Sequence, residues 1–84
     1  MAKKSPHDQV AKLIDYKVTF GTEEGKRVLY DIFKTTGLAT SSFDENSNTM
    51  AFKEGQRNVA LFIMGKIKMD VGKLTKFIKE QEEQ

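Results

Sequence analysis

The chain has 84 residues, no cysteine and a formal net charge of +2. A chain of this length forms one domain near the size at which a single core becomes marginal, so association between copies is an option. The absence of cysteine excludes disulfides, thiolate metal sites and cysteine nucleophiles, and the small net charge gives no argument for a polyanionic partner.

Membrane and secretion signals are missing from the sequence. No apolar run approaches the roughly 20 residues that span a bilayer. Residues 1–6 lack the apolar stretch of a secretion signal. We therefore expect a protein of the cytoplasm that has no membrane partner.

The first predicted helix starts at a strong signal, with Ser5 as N-cap and Pro6 at the first helical position. We expect it to run to about Lys17, because residues 16–20 alternate in a way that also suits a short extended piece. The second helix is predicted to begin after Thr22 as N-cap, with two acids in its first turn. Gly37 should end it in a left-handed turn.

A repeated pattern links the second and third predicted helices. The Glu-Gly pair at 24–25, followed two positions later by arginine, returns at 54–57. Glycine inside a helix is less favourable than alanine by about 1 kcal/mol. We therefore expect Gly25 and Gly55 to lie where the two helices cross with their backbones close together.

Residues 38–48 are predicted to form one long loop, because short polar side chains that compete with helix hydrogen bonds dominate this stretch. Phe43 either anchors the loop to the core or offers an exposed contact to a partner protein. The neighbouring Asp44 is explained by solvation of the loop. If Phe43 contacts a partner protein, Asp44 is a candidate for the same contact.

The third predicted helix begins at Asn48 or Thr49 and is apolar around much of its circumference, which places it at the centre of the domain. The fourth spans about residues 70–82, starting at Asp70, and residues 81–84 should fray. Five lysines in this part of the chain are candidates for nucleic-acid contacts: Lys66, Lys68, Lys73, Lys76 and Lys79. The chain has only two arginines, however, and a solvated helix face is the simpler interpretation.

No residue pattern indicates a catalytic site. His7 is the single histidine and has no companions at metal-ligand spacing, so we expect no metal, no cofactor and no enzyme activity. Arg57 has an acidic neighbour, Glu54, three positions before it and a basic one, Lys53, four positions before it. Its own helix therefore offers the Arg57 guanidinium group only a weak ion pair. Arg57 is either half of an ordinary surface ion pair or a contact to another helix or a partner, and Lys53 is a candidate for the same partner contact.

Three stretches carry a family resemblance: residues 25–29, 41–44 and 52–59. In this order they resemble the Bbp-nineteen-like phage domain, a family of short proteins encoded by tailed bacteriophages, over about residues 20–64. The resemblance implies a phage origin and a setting near genes for head and tail assembly, and it implies no activity. The lysine-rich fourth helix lies outside the resembling stretch.

These observations predict an all-α domain covering residues 1–84, a small bundle of three to four helices with one long loop between helices two and three. We expect a non-enzymatic phage accessory protein that contacts another protein in virion assembly or structure, located in the host cytoplasm or the virion. Its partner would be a phage structural protein, with a homo-oligomer as a further option. The alternatives are an inhibitor or anti-defence protein that binds a host protein, and a weak nucleic-acid-binding module.

Overall fold

Four α-helices make up the parts of the chain that the computed structural model describes, residues 6–38 and 46–83, with side chains from residue 8. Their bounds are Pro6–Thr19 for α1, Glu23–Thr35 for α2, Ser47–Lys66 for α3 and Val71–Glu82 for α4. No strand occurs within the described ranges. The all-α bundle expected from the sequence is therefore confirmed. The predicted long loop falls largely on residues 39–45, outside the described residues, and stays a prediction.

Capping chemistry sets both ends of α2. The side chain of Thr22 accepts a hydrogen bond from the N–H of Gly25 at 2.9 Å. At the other end Gly37 has a φ of 68°. There the N–H of Leu38 donates to the carbonyl oxygen of Phe33 at 3.1 Å. Glycine adopts this left-handed turn without a steric penalty, so both ends of α2 lie where the sequence predicted them.

α1 is longer than the sequence indicated. It reaches Thr19 instead of ending near Lys17, and the N–H of Phe20 donates to the carbonyl oxygen of Tyr16 at 3.1 Å. The extended alternative for residues 16–20 is therefore wrong. The Tyr16 ring lies 6.3 Å from the Phe20 ring and 6.2 Å from the Phe62 ring of α3, so packing between helices favours the helical form over the local alternating pattern.

α3 begins earlier than predicted, at Ser47 instead of after Asn48 or Thr49. Asn46 is its N-cap, because the Asn46 side-chain oxygen accepts hydrogen bonds from the N–H groups of Asn48 and Thr49 at 2.9 and 3.1 Å. Several adjacent residues in this stretch can cap a helix, so local chemistry alone did not select among them.

The buried core lies between α2, α3 and α4. α2 packs against α4 and α1 packs against α3. The rings of Phe33 and Phe77 meet edge to face, with centroids 5.9 Å apart. Among the described residues, those buried in the core are Leu29, Phe33, Leu38, Ala60, Ile63, Met64 and Phe77. None of them belongs to α1, so α1 covers the outside of α3 without completing the core.

The central position predicted for α3 is wrong. Only the face carrying Ala60, Ile63 and Met64 is buried, whereas Phe52 and Val59 are exposed. The side of α3 that carries Phe52 and Val59 is therefore not covered by any of the described helices.

The predicted crossing of helices at Gly25 and Gly55 is also wrong. A methyl group at Gly55 would meet no atom within 4 Å, and Gly55 is exposed. A methyl group at Gly25 would instead overlap the carbonyl oxygen of Thr19, the last residue of α1. Gly25 therefore lies in the tight corner between α1 and α2, next to the Thr22 N-cap of its own helix.

α4 ends at Glu82, in agreement with the predicted end near residue 82. The Tyr30 hydroxyl of α2 donates to the Glu82 carboxylate oxygen Oε1 at 3.3 Å. Loss of hydration raises the pKa of Tyr30, and the charge of Glu82 and the hydrogen bond to it raise that pKa further. The last turn of α4 therefore has a hydrogen-bond partner on α2, and the fraying expected for residues 81–84 stays a prediction.

Candidate interaction surface

α1 carries an apolar stripe that faces solvent. We define the α1 stripe as Val10, Ile14 and Val18, which are four residues apart and therefore share one face of the helix. Their exposed fractions are 55%, 54% and 63%. α1 meets α3 through a different face, on which Tyr16 contacts Phe62. The α1 stripe is thus an apolar surface that no described helix covers.

A second exposed apolar row runs along α3. We define the α3 stripe as Phe52, Gly55, Val59 and Phe62, at spacings of three, four and three residues. The exposed fractions of Phe52, Val59 and Phe62 are 67%, 52% and 53%. Phe62 touches the edge of the Tyr16 ring and lies below the Lys66 ammonium group, 5.2 Å from its ring centre. The rest of the row is open.

The α3 stripe belongs to the helix that the sequence analysis placed at the centre of the domain. Helical periodicity identifies apolar faces, but it does not say how many faces of a helix find partners in the same chain. One signal was present in the sequence. α1 has two apolar faces, one with Leu13 and Tyr16 and one with Val10, Ile14 and Val18, and a single contact with α3 covers only one of them.

The structure describes two of the four predicted partner-contact residues, Lys53 and Arg57. Phe43 and Asp44 lie outside the described residues, so their contact stays a prediction. Arg57 reaches the end of α2, where its Nε donates to the carbonyl oxygen of Leu38 at 3.5 Å. Leu38 lies in the turn after α2, so Arg57 contacts a part of the chain outside its own helix, and a contact to a partner stays a prediction. Lys53 is half-buried and lies one turn before Arg57.

The five candidate lysines do not form one surface. Lys66 ends α3 and lines an open pocket with Lys12 of α1. Lys68 has a φ of 58° and occupies the left-handed position between α3 and α4. The ammonium group of Lys76 lies 4.0 Å from the carboxylate of Glu80. Lys73 and Lys79 are exposed on α4, on the side that also carries Glu80 and Glu83, so acidic groups interrupt the basic face.

Surface ion pairs account for the acids at the start of α2. The Lys26 ammonium group lies 3.7 Å from the Glu23 carboxylate, and an Arg27 guanidinium nitrogen lies 3.9 Å from that of Glu24. Exposed pairs of this kind stabilise a fold by at most about 1 kcal/mol. Arg27 therefore forms its ion pair within its own helix.

Most of the described concavities are small and mainly apolar, whereas one of about 390 Å³, lined by Gln9, Lys12, Leu13 and Lys66, is open and as polar as it is apolar. One of about 180 Å³ lies where the end of α1, α2 and the connection from α3 to α4 meet, lined among others by Phe20, Leu29 and Met69. Small-molecule sites commonly measure about 300 to 1,000 Å³. In the described part of the chain, no cluster of three or more His, Cys, Asp or Glu side chains is placed to hold a metal ion. No described helix combines the length and apolar character of a membrane span.

Comparison with protein families identifies the group to which these helices belong. A family model described as Bbp19-like phage protein matches residues 16–79. The chain belongs to this family. No curated protein and no solved structure gives a significant match.

The Bbp19-like region is longer than the stretch 20–64 in which the resemblance was first seen. It contains all of α2 and α3 and continues through α4 to residue 79, so the lysine-bearing helix belongs to the family region. The whole α3 stripe lies within this Bbp19-like region, whereas Val10 and Ile14 of the α1 stripe precede it.

Proposed function

We propose that the chain is a non-enzymatic phage accessory protein that acts by protein–protein contact during virion assembly or within the virion. Membership of the Bbp19-like phage proteins supports the phage setting. The observation that carries the proposed mode of action is the α1 stripe, a row of three aliphatic side chains that are each more than half exposed. Exposed apolar rows of this kind are typical of sites that bind other proteins.

The α1 stripe has the form of a helix that docks into a groove. Anchor side chains one turn apart on one face enter an apolar groove on the partner in this mode of recognition. Val10, Ile14 and Val18 supply three such anchors over two turns of α1. Because α1 contributes no described side chain to the buried core, a partner can engage this face without opening the bundle.

The partner in this proposal is a phage structural protein. A host protein bound through the same stripe would make the chain a host-directed inhibitor or anti-defence protein, and the experiment below separates the two. Nucleic acid is a weaker candidate, because Glu80 and Glu83 lie among the α4 lysines and would repel phosphate groups.

The test is a mass-spectrometric inventory of virions and assembly intermediates purified from infected cells. We expect the wild-type chain in at least one of these fractions. Ile14→Lys places a charge in the α1 stripe and should lower its amount there at least about tenfold, since charge is disfavoured at interface centres. Val28→Lys is the matched control, because Val28 is 55% exposed on α2 and lies outside both stripes.

The Val28→Lys chain should stay at the wild-type amount in these fractions. Circular dichroism of both purified variants would establish that the helices are retained. Absence of the wild-type chain from virions and from every intermediate would contradict the proposal. Equal amounts of the wild-type and Ile14→Lys chains would contradict the role of the α1 stripe.

A further inference from the structure

The α3 stripe has a pattern that matches itself when reversed. Phe52 and Phe62 are each five residues from position 57, and Gly55 and Val59 are each two residues from it. In two antiparallel helices centred on position 57, Phe52 of one copy meets Phe62 of the other. Gly55 of each copy then meets Val59 of the other. The spacing of three, four and three residues is that of a helix-pairing seam.

Gly55 has no side chain and leaves a notch in the α3 stripe, which Val59 of the second copy fills in this pairing. A glycine in the interior of a helix weakens that helix. No packing among the described residues requires one here, since a methyl group at Gly55 would meet nothing within 4 Å. At Gly25, by contrast, packing does require a glycine, because a side chain there would collide with the Thr19 carbonyl oxygen. Close approach of a second helix is what Gly55 permits, and the aliphatic side chain of Val59 is of a size to enter the gap.

The borders of the α3 stripe suit burial against an identical surface. The side chains that flank it are uncharged and exposed or half-exposed: Asn48, Ala51, Gln56 and Asn58. Depletion of charge is characteristic of the centre of protein interfaces. Lys66 continues the row after Phe62, and in the antiparallel arrangement it faces Asn48 of the other copy, so no two like charges are opposed.

We infer that two copies of this chain associate through their α3 stripes as an antiparallel, two-fold symmetric pair. An interface of this kind uses the same patch on both subunits. The two phenylalanines and the valine leave on the order of 300 Å² open in each copy. Both copies together contribute on the order of 600 Å² from these side chains, less than the roughly 1,200 Å² of stable specific complexes. The pair is therefore a weak, reversible dimer.

This inference goes beyond the proposed function and is tested on the purified full chain alone. Sedimentation velocity over two decades of concentration should show the wild-type chain passing from monomer to dimer. Val59→Lys should raise the dissociation constant at least about 100-fold, because it buries a charge at the centre of both halves of the interface. Val28→Lys changes a valine of similar exposure on α2, 55% against 52%, and should leave the dissociation constant unchanged.

A pair of glycine variants gives a second test that does not depend on introducing charge. A side chain that starts at Gly55 meets no atom of the isolated chain at its first carbon, whereas leucine fills the notch, so Gly55→Leu should be monomeric at every concentration with its helices retained. Gly65→Leu is the matched control, since a methyl group at Gly65 also meets nothing within 4 Å and Gly65 lies outside the stripe. Its dimerisation should equal that of the wild type.

Three results would overturn the inference. One is a wild-type chain that stays monomeric throughout the series, and another is assembly beyond the dimer. The third is wild-type dimerisation of Gly55→Leu, which would place the contact elsewhere on the molecule. If Val59→Lys fails to fold, the two glycine variants decide the matter by themselves.

Discussion

Phe33→Ala is expected to lower the free energy of unfolding by about 3 to 5 kcal/mol. Phe33 is only 3% exposed and meets Phe77 edge to face at 5.9 Å. Removing its ring leaves a cavity between α2 and α4, inside the buried core that these helices form with α3. A domain of this size has a total stability of about 4 to 12 kcal/mol, so at the lower end this single change unfolds most of the protein at room temperature.

Two variants make the Phe33 experiment specific. Phe33→Leu keeps most of the side-chain volume and should lose less than about 1.5 kcal/mol. Phe52→Ala deletes the same ring from a position that is 67% exposed. It should change the stability of the monomer by no more than about 0.5 kcal/mol. Urea unfolding followed by circular dichroism, at a concentration where the chain is monomeric, measures all three. Equal losses for Phe33→Ala and Phe52→Ala would show that the assigned core is wrong.

Gly25→Ala is expected to lower the free energy of unfolding by about 2 to 4 kcal/mol, through overpacking and loss of a helix cap. The added methyl group would overlap the Thr19 carbonyl oxygen and lie 2.8 Å from the Thr22 hydroxyl oxygen. That hydroxyl accepts from the Gly25 N–H at 2.9 Å and donates to the Thr19 carbonyl oxygen at 3.1 Å. One substitution therefore disturbs both hydrogen bonds of the corner between α1 and α2.

The matched control is Gly65→Ala in α3, where the added methyl group meets no atom within 4 Å. Alanine is a better helix former than glycine by up to about 1 kcal/mol, so this variant should be as stable as the wild type or slightly more stable. Thermal unfolding of the two variants side by side gives the comparison. A Gly25→Ala chain as stable as the Gly65→Ala chain would disprove the tight corner.

Local chemistry made both ends of α2 and the start of α4 the most predictable parts of the fold. Thr22 caps α2 and Gly37 adopts the left-handed turn, both as expected. Asp70, where the fourth helix was predicted to start, is the N-cap of α4. Each of these depends on one side chain and the backbone groups within three residues of it, so the sequence contains the whole interaction. The number and order of the helices follow for the same reason.

The sequence could not show which apolar faces pair with one another. Gly25 and Gly55 share the same local pattern, yet one lies in a tight corner and the other opens to solvent. Val59 and Ile63 lie one turn apart on α3, and only Ile63 is buried. These outcomes depend on which helix covers which side, a property of the tertiary arrangement. The errors gather on α1 and α3, where the candidate interaction surface lies.

Each of the two exposed stripes is proposed to bind a different partner. The α3 stripe matches itself and is assigned to a second copy of the chain, which leaves the α1 stripe for the phage partner. Their independence can be observed directly, because Val59→Lys should abolish self-association without removing the anchor residue Ile14. A partner that requires the dimer would couple the two contacts, and Val59→Lys would then also weaken incorporation into virions or intermediates.

Site-specific photo-crosslinking in infected cells tests the central claim most directly. A photoreactive side chain replaces Ile14 in one chain, and in the control chain it replaces Asp31, an exposed residue of α2 outside both stripes. We expect position 14 to give a crosslink to a phage head or tail protein that position 31 does not give. Crosslinks from position 14 to host proteins alone, or none beyond those from position 31, would contradict the account.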